Sequence, residues 1–396
     1  MFILKILQVT PFFPPDIGGI SDHVYAISKN LQLDGHDVTI IAPHKITERN
    51  NANDINKLIK IPSLYLLPWP YSTLKNFSFP VDLGMRIDKI IKNGNFDLVH
   101  THGQHYPTSW LAIRSSKKYG VPCILTIHTN FALNPKRLGG KTKIEEYFNK
   151  LVFARILGKT TGIIGLTANN ISYAKLYAKG DKYYYQISNG INNQLYYENS
   201  NKRVPFREAH GLSNNTPIIL FCGRFEDVKG ILEFAEASRQ LASNFQMIKV
   251  IMIGNGSLKE QIVSIIRDEP NIILINWQSH EELIKYYIMS DIFVIPSKFE
   301  GLPIVLLEAM AASMHIVYTP VGSMPEVLEK YPMKSMIKSC TADEIYRTIE
   351  GLLNNFEVIS TNEKKVMNYM ERFDWRNITR QVEFAYRQTI NQDHLQ

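Results

Sequence analysis

The stretch Ser290–Ala312, SDIFVIPSKFEGLPIVLLEAMAA, is the segment whose reading decides the fold. Ile292 to Ile295 form a short apolar run that reads as a buried strand and stops at Pro296-Ser297. A loop carrying Glu300-Gly301 follows. A helix then begins near Leu302-Pro303, where proline suits the first turn because no partner there needs its missing N–H. The first amides of such a helix make an anion site at the carboxyl end of the strand. Glu308 comes about two turns later and reaches the same region. A carboxylate can accept hydrogen bonds from two adjacent hydroxyls, so Glu308 suits a ribose and Glu300 a hexose. A helix start for a diphosphate with two carboxylates for sugar diols is a nucleotide-sugar pocket in outline. The spacing by itself also fits an ordinary strand–loop–helix with solvated glutamates.

Outward from this stretch, strands and helices alternate in two series. The first comprises apolar runs at Phe2–Val9, Asp37–Ile41, Asp97–Thr101, Cys123–Ile127, Gly162–Leu166 and Tyr183–Ile187. Helical patterns at Ile20–Leu33, Val81–Lys92 and Thr108–Lys118 lie between them. Ile20, Val24, Ile27 and Leu31 share one helical face, and Gly35 ends that helix. Thr47–Pro80, with its four prolines, reads as an elaborated connection, and polar Asn192–Asn215 as a linker without a strand. The second series runs from Pro217–Cys222 to His315–Tyr318. Alternation of this kind implies parallel sheets covered by helices, with ligands at the carboxyl ends of the strands. The expected class is therefore α/β, as two Rossmann-like domains facing across a cleft. Residues 1–195 would form the first, acceptor-binding domain, with a closing helix, 374–396, able to pack back on it, and 196–373 the second, nucleotide-sugar-binding domain.

Beyond its spacing, the opening stretch resembles a known family. Glu300-Gly301-Leu302-Pro303 and Leu307-Glu308-Ala309-Met310-Ala311 resemble the E-x7-E signature of the retaining family 4 glycosyltransferases of GT-B fold. Phe221-Cys-Gly-Arg-Phe-Glu-Asp-Val-Lys-Gly230 resembles the same family's strand–GR–xxxKG loop, and the likeness extends over nearly the whole chain. It implies that Gly223, Arg224 and Lys229 hold the donor diphosphate, with Glu300, Gly301, Leu302, Pro303, Ile304 and Glu308 around the sugar and ribose. Physical chemistry agrees, since the leaving diphosphate gains charge as the glycosidic bond breaks and fixed cations stabilise it. Taken alone, Arg224 and Lys229 also read as solvated surface cations. The chain contains no Asp-x-Asp, the usual metal–diphosphate clamp of the other large glycosyltransferase fold. No metal and no resident cofactor is therefore expected. Ile253-Gly254-Asn255-Gly256 lacks the third glycine of a dinucleotide fingerprint. The resemblance places Gly254 and Asn255 at the nucleotide.

In the first half, Pro14-Pro15-Asp16-Ile17-Gly18-Gly19-Ile20 joins a strand to a helix. Paired glycines let a backbone approach a phosphate closely, and the family resemblance puts Gly18 and Gly19 near the donor phosphates and the acceptor. Gly35-His36-Asp37-Val38 resembles the family's entry to its second strand, so His36 is read as structural. His100 and His102 alternate at a strand end with His105 and His128 in reach, but no cysteine or carboxylate completes a metal-ligand set. By resemblance, His128 in Thr126-Ile127-His128-Thr129 faces the donor sugar near the reacting centre. His102 either lines the acceptor side or is a hydrogen-bonded strand-end residue. Asn189-Gly190-Ile191-Asn192 resembles a hinge turn, with asparagine replacing the usual aspartate at 192 and Asn189 near ligand.

Bulk properties narrow the partners. The 396 residues, 45% hydrophobic and 20% charged, suit two soluble domains, and the net charge is +7. The N-terminus reads as a buried strand and not a signal peptide. Three scattered cysteines suit a reducing compartment, hence a cytoplasmic protein. Lys136–Lys159 carries seven basic residues against two glutamates beside an apolar stripe, Ile144, Tyr147, Phe148, Leu151, Val152 and Ile156. That pattern fits peripheral contact with an anionic inner membrane face, or a stripe packed on its own sheet. The acceptor is then a glycan, a lipid-linked or a small-molecule hydroxyl. A nucleotide-sugar epimerase or phosphorylase of the same fold, or a non-catalytic sugar-nucleotide-binding protein, are the alternatives. Nucleic acid is not expected, because the basic residues are not interleaved with an aromatic platform.

Overall fold

A computed structural model of the chain describes residues 2–14, 18–45, 57–63, 83–128, 151, 153–178, 180–267, 269–356 and 363–393. Its contacts divide the chain into two units. Unit 1 is Met1–Asn189 with Trp375–Gln396, and unit 2 is Gly190–Asp374.

Unit 1 holds seven strands: β1 Lys5–Val9, β2 Asp37–Lys45, β3 Leu58–Ser63, β4 Leu98–His102, β5 Cys123–Ile127, β6 Gly162–Gly165 and β7 Tyr183–Gln186. All pair in parallel in the order β3-β2-β1-β4-β5-β6-β7. Strands buried on both faces are built mostly of apolar residues. Ile6, Leu7, Val9, Leu98, Val99, Ile124 and Leu125 supply them. Helices Gly19–Leu33, Leu83–Gly94 and Pro107–Tyr119 supply crossovers. Their apolar stripes, such as Val24, Ile27 and Leu31, are buried to 0% exposure. The final helix, Trp375–Asp393, belongs to this unit, with Ile378, Val382, Ala385 and Tyr386 packed in one cluster with Val24, Ile27 and Leu31.

Unit 2 holds β8 Ile218–Cys222, β9 Lys249–Ile253, β10 Ile272–Ile275, β11 Ile292–Ile295, β12 His315–Tyr318 and β13 Lys334–Met336. The order β10-β9-β8-β11-β12-β13 is again wholly parallel. In both sheets the order reverses between two central neighbours, β1 with β4 and β8 with β11. Loops leaving such a switch point diverge and open a crevice at the carboxyl ends of the strands.

Three readings of the sequence are corrected. The connection Thr47–Pro80 contains a strand, β3, at the edge of its sheet. Pro62 lies within it, and an edge is where a strand tolerates a residue without an N–H. The rest of that connection, 47–56 and 64–80, lies outside the described residues. Asn192–Asn215 is not a loose linker but carries helices Asn193–Ser200 and Arg203–Ala209 inside unit 2. Arg207 anchors the second of these helices. It is 1% exposed, its Nη2 is 2.7 Å from Asp291 Oδ2, and its other nitrogens donate to the carbonyls of Met289, Ser213, Asn214 and Thr216. The second series also continues past Tyr318 into β13 and helix Ala342–Leu353.

Candidate functional site

In unit 2 the loops after β8, β9 and β11 converge. Gly223 donates its amide to Ile253 O, and Phe225 donates to Asn255 O, so the β8 and β9 loops lie against each other. Gly254 is dictated by this contact: a Cβ there would stand 1.9 Å from Gly223 O. Arg224 projects from the β8 loop, half-exposed, with Nη1 3.0 Å from Glu226 Oε1. A short 3-10 turn, Asp227–Lys229, follows and ends at Gly230 in the left-handed region. A side chain on Gly230 would meet Pro296 O at 2.2 Å, on the β11 loop. The same close approach brings Lys229 Nζ to 2.5 Å from Glu300 Oε1, which also accepts from Ser297 Oγ at 2.7 Å. Lys229 is 20% and Glu300 9% exposed as side chains, so the pair is mostly shielded from water. In that setting charge-assisted hydrogen bonds hold their geometry well.

Glu308 sits apart from that pair. Pro303 caps the helix Ile304–Ala311, on which Leu306, Leu307, Ala309, Met310 and Ala311 are buried beside Glu308. A carboxylate in so apolar a helix needs partners. Tyr287 Oη donates to its Oε2 at 2.8 Å, and His280 Nδ1 lies 3.4 Å from its Oε1. Leu302 is buried, and Gly301 O accepts from both the amide and the hydroxyl of Ser323, which fixes the turn before the helix. The structure thus joins Gly223, Arg224, Lys229, Gly254, Asn255 and Glu300 in one loop cluster, with Gly301 to Glu308 continuing from it along the chain. Sequence reading did not single out Ser297 or Tyr287.

Unit 1 presents a different site at its own switch point. His102 at the end of β4 and His128 just past β5 are joined, Nδ1 to Nε2, at 3.3 Å. His102 Nε2 bonds Gln8 Oε1 on β1 at 2.8 Å. Gln8 Nε2 donates to Tyr386 Oη on the final helix, which also bonds His100 Nδ1 at 2.6 Å, and His100 Nε2 reaches Thr126 Oγ1 at 2.7 Å. His23, on helix Gly19–Leu33, stacks edge-on against His128 and bonds Asn189 Oδ1 through Nδ1 at 2.8 Å. Burial holds His100, His102 and His128 well below the ordinary imidazole pKa, and neighbouring histidines push the same way. His23 falls to about 4, also by burial, against the pull of Asn189. The cluster is neutral at pH 7.

His105, grouped with these histidines on sequence, instead stacks on Phe153. His36 accepts the Leu4 amide at Nδ1 and stands 3.3 Å from Glu383, tying β1 to the last helix. Gly18 and Gly19 open helix Gly19–Leu33 and are exposed, while 15–17 of their loop lie outside the described residues. Sequence reading missed Gln8, His23 and Tyr386. The available signals were a polar residue inside an apolar strand, and a histidine three residues after Ile20 on a buried stripe. Of the basic span 136–159 only Leu151 and Phe153–Lys159 are described, so its expected membrane contact falls largely outside the described residues. Among the described residues no helix is long and apolar enough to cross a membrane.

Comparison with known proteins decides the family. The model for glycosyl transferases group 1 matches residues 203–369, and that for Glycosyltransferase Family 4 matches 17–194. The chain belongs to glycosyltransferase family 4. It is 21% identical to the phosphatidyl-myo-inositol mannosyltransferase of Mycolicibacterium smegmatis, over 97% of this chain and 93% of that protein. Sucrose-phosphate synthase of Thermosynechococcus elongatus superposes with a TM-score of 0.80 at 18% identity, covering 97% of this chain and 98% of that one. HepE of Anabaena, in complex with UDP-glucose, gives a TM-score of 0.73 at 15% identity, covering 96% and 99%. These likenesses establish the GT-B fold of this family 4 glycosyltransferase.

Proposed function

We propose that the protein transfers a hexosyl or N-acetylhexosaminyl unit from a nucleotide-diphosphate sugar to a hydroxyl acceptor, with retention of anomeric configuration and without a metal. The observation that carries this reading is the Lys229–Glu300 pair beside Arg224, built from loops at the switch point of unit 2. Arg224 and Lys229 offer fixed positive charge where a leaving diphosphate gains negative charge, which is the place such charge lowers a barrier. Glu300 has one carboxylate oxygen engaged by Lys229 and Ser297. The same carboxylate orients the cation and has remaining lone pairs for a sugar hydroxyl. Glu308, steadied by Tyr287, serves the ribose diol.

In this reading the leaving phosphate accepts the proton of the incoming hydroxyl on the face it departs from. Glu300 is not the nucleophile of a paired-carboxylate hydrolase. His128 of unit 1 acts on the donor sugar as a neutral imidazole, and His102 and Asn189 serve the acceptor side. A lipid-linked acceptor is supported by the relative named for phosphatidyl-myo-inositol. Product analysis tests the proposal. With a donor and a hydroxyl acceptor, the protein should release nucleoside diphosphate in step with a glycoside whose anomeric coupling matches the donor, equally well with EDTA present. An isomerised donor, or an inverted linkage, contradicts it.

A further inference from the structure

We propose that His23, His102 and His128 form a binding site for a zinc-like transition-metal ion, and that occupancy of this site silences His128. Each residue offers a ring nitrogen, and these nitrogens all lie within 4.8 Å of one another. The His102 Nδ1 to His128 Nε2 distance is 3.3 Å. Two nitrogens bound to one tetrahedral zinc at about 2.0–2.1 Å stand about 3.3–3.4 Å apart, so this pair already has the spacing of a ligand edge. The two remaining edges, both to His23 and neither longer than 4.8 Å, close with side-chain movement on the order of 1 Å.

The second layer of contacts points the same way. A histidine ligand offers one nitrogen to the metal while the other donates to a fixed oxygen, which sets the tautomer. His102 Nε2 faces Gln8 Oε1, so its lone pair is on Nδ1. His23 Nδ1 faces Asn189 Oδ1, which leaves Nε2 as the nitrogen it can offer. That Nε2 is buried and has no hydrogen-bond partner. A buried nitrogen left bare beside two other imidazoles is unfavourable unless something binds there. Three neutral imidazoles with a fourth position open suit zinc, cobalt or copper better than magnesium or calcium, which take oxygen ligands.

Binding requires one rearrangement. In the metal-free protein His128 Nε2 carries the proton it donates to His102 Nδ1. On binding, that proton moves to His128 Nδ1, and both facing lone pairs go to the ion, with no change in net protons. The site lies wholly in unit 1 and does not depend on the transferase reading. Where that reading holds, the ion occupies the imidazole that serves the donor sugar, so it inhibits a reaction that itself needs no metal.

The test uses the full chain without a polyhistidine tag, titrated with Co2+ and in competition with Zn2+. One equivalent should produce the visible absorption of four-coordinate cobalt, and zinc should displace it. His23→Gln and His102→Gln should each abolish that signal, and Asn189→Ala should weaken binding about 10–100-fold, as loss of an outer-layer partner does. Circular dichroism of each variant separates lost ligation from lost fold. Absence of the cobalt signal in the unaltered protein overturns the proposal, as does a signal that survives in both folded glutamine variants. Transfer assays distinguish the two readings: inhibition by zinc, reversed by EDTA, supports silencing, whereas binding without inhibition overturns the silencing half alone.

Discussion

The two units share a parallel sheet and a central switch point, yet place opposite chemistry there. Unit 2 gathers ionic groups: Arg224 is 41% exposed, and Lys229 and Glu300 compensate one another. Unit 1 gathers four histidines, His23, His100, His102 and His128, that burial keeps uncharged. Strand topology therefore fixes where a site is built and leaves its electrostatics to the loop residues. A half-exposed arginine keeps its charge for an anionic ligand. A buried imidazole cannot hold a proton cheaply and serves as a neutral hydrogen-bonding group or ligand.

The contrast can be broken most forcefully at Arg207, the buried cation of unit 2, which Asp291 compensates. Arg207→Ala leaves Asp291 short of a partner and loosens the helix Arg203–Ala209. A loss of about 3–5 kcal/mol is expected, as for other broken buried pairs, read by denaturant unfolding. An unchanged midpoint would mean that Arg203, which also bonds Asp291, suffices alone. Next comes Arg224→Ala, which should lower turnover by about 10²–10³ while the melting temperature of the free protein stays put. Near-normal turnover removes Arg224 from the mechanism.

Tyr386→Phe probes the neutral network of unit 1. It strips a partner from Gln8 Nε2 and His100 Nδ1 in a dry interior, at a cost of about 1–3 kcal/mol in stability. The last effect concerns acid. Burial lowers His105 to about 4 from its ordinary 6.5. Between those values the unfolded chain binds a proton that the folded chain refuses, so stability falls as pH drops from 6.5 toward 4. His105→Phe should make the melting temperature less sensitive to pH across that window. An identical slope in the variant assigns the acid sensitivity to other groups.

Legibility in the sequence followed the range of the interactions. Apolar runs such as Ile292–Ile295 and Ile218–Cys222 announce buried strands because both faces of the sheet are covered, and the stripe Val24, Ile27, Leu31 announces its helix. Glu300, Glu308, Arg224 and Lys229 were visible because each stands in a short local motif. Strand β3 was hidden, since LIKIPS is short, charged and interrupted by Pro62 at a sheet edge. The helices between Asn193 and Ala209 were hidden because they are held from far along the chain, Asn193 by Met370 and Arg207 by Asp291, 84 residues away. The histidine cluster was only half legible. His102 and His128 stand at strand ends, but Gln8, His23 and Tyr386 come from three other elements, and only the folded chain brings them together.

The central claim is that the charged loops of unit 2 hold a nucleotide-sugar diphosphate. Its most direct test is a thermal-shift panel of UDP, GDP and ADP sugars on the unaltered protein and on Arg224→Ala and Lys229→Ala. Selective binding to the folded state raises the melting temperature by mass action. The account predicts that one nucleotide class stabilises the unaltered protein and that both substitutions greatly reduce the shift. Stabilisation that persists undiminished in both variants, or no stabilisation by any nucleotide sugar, would contradict it.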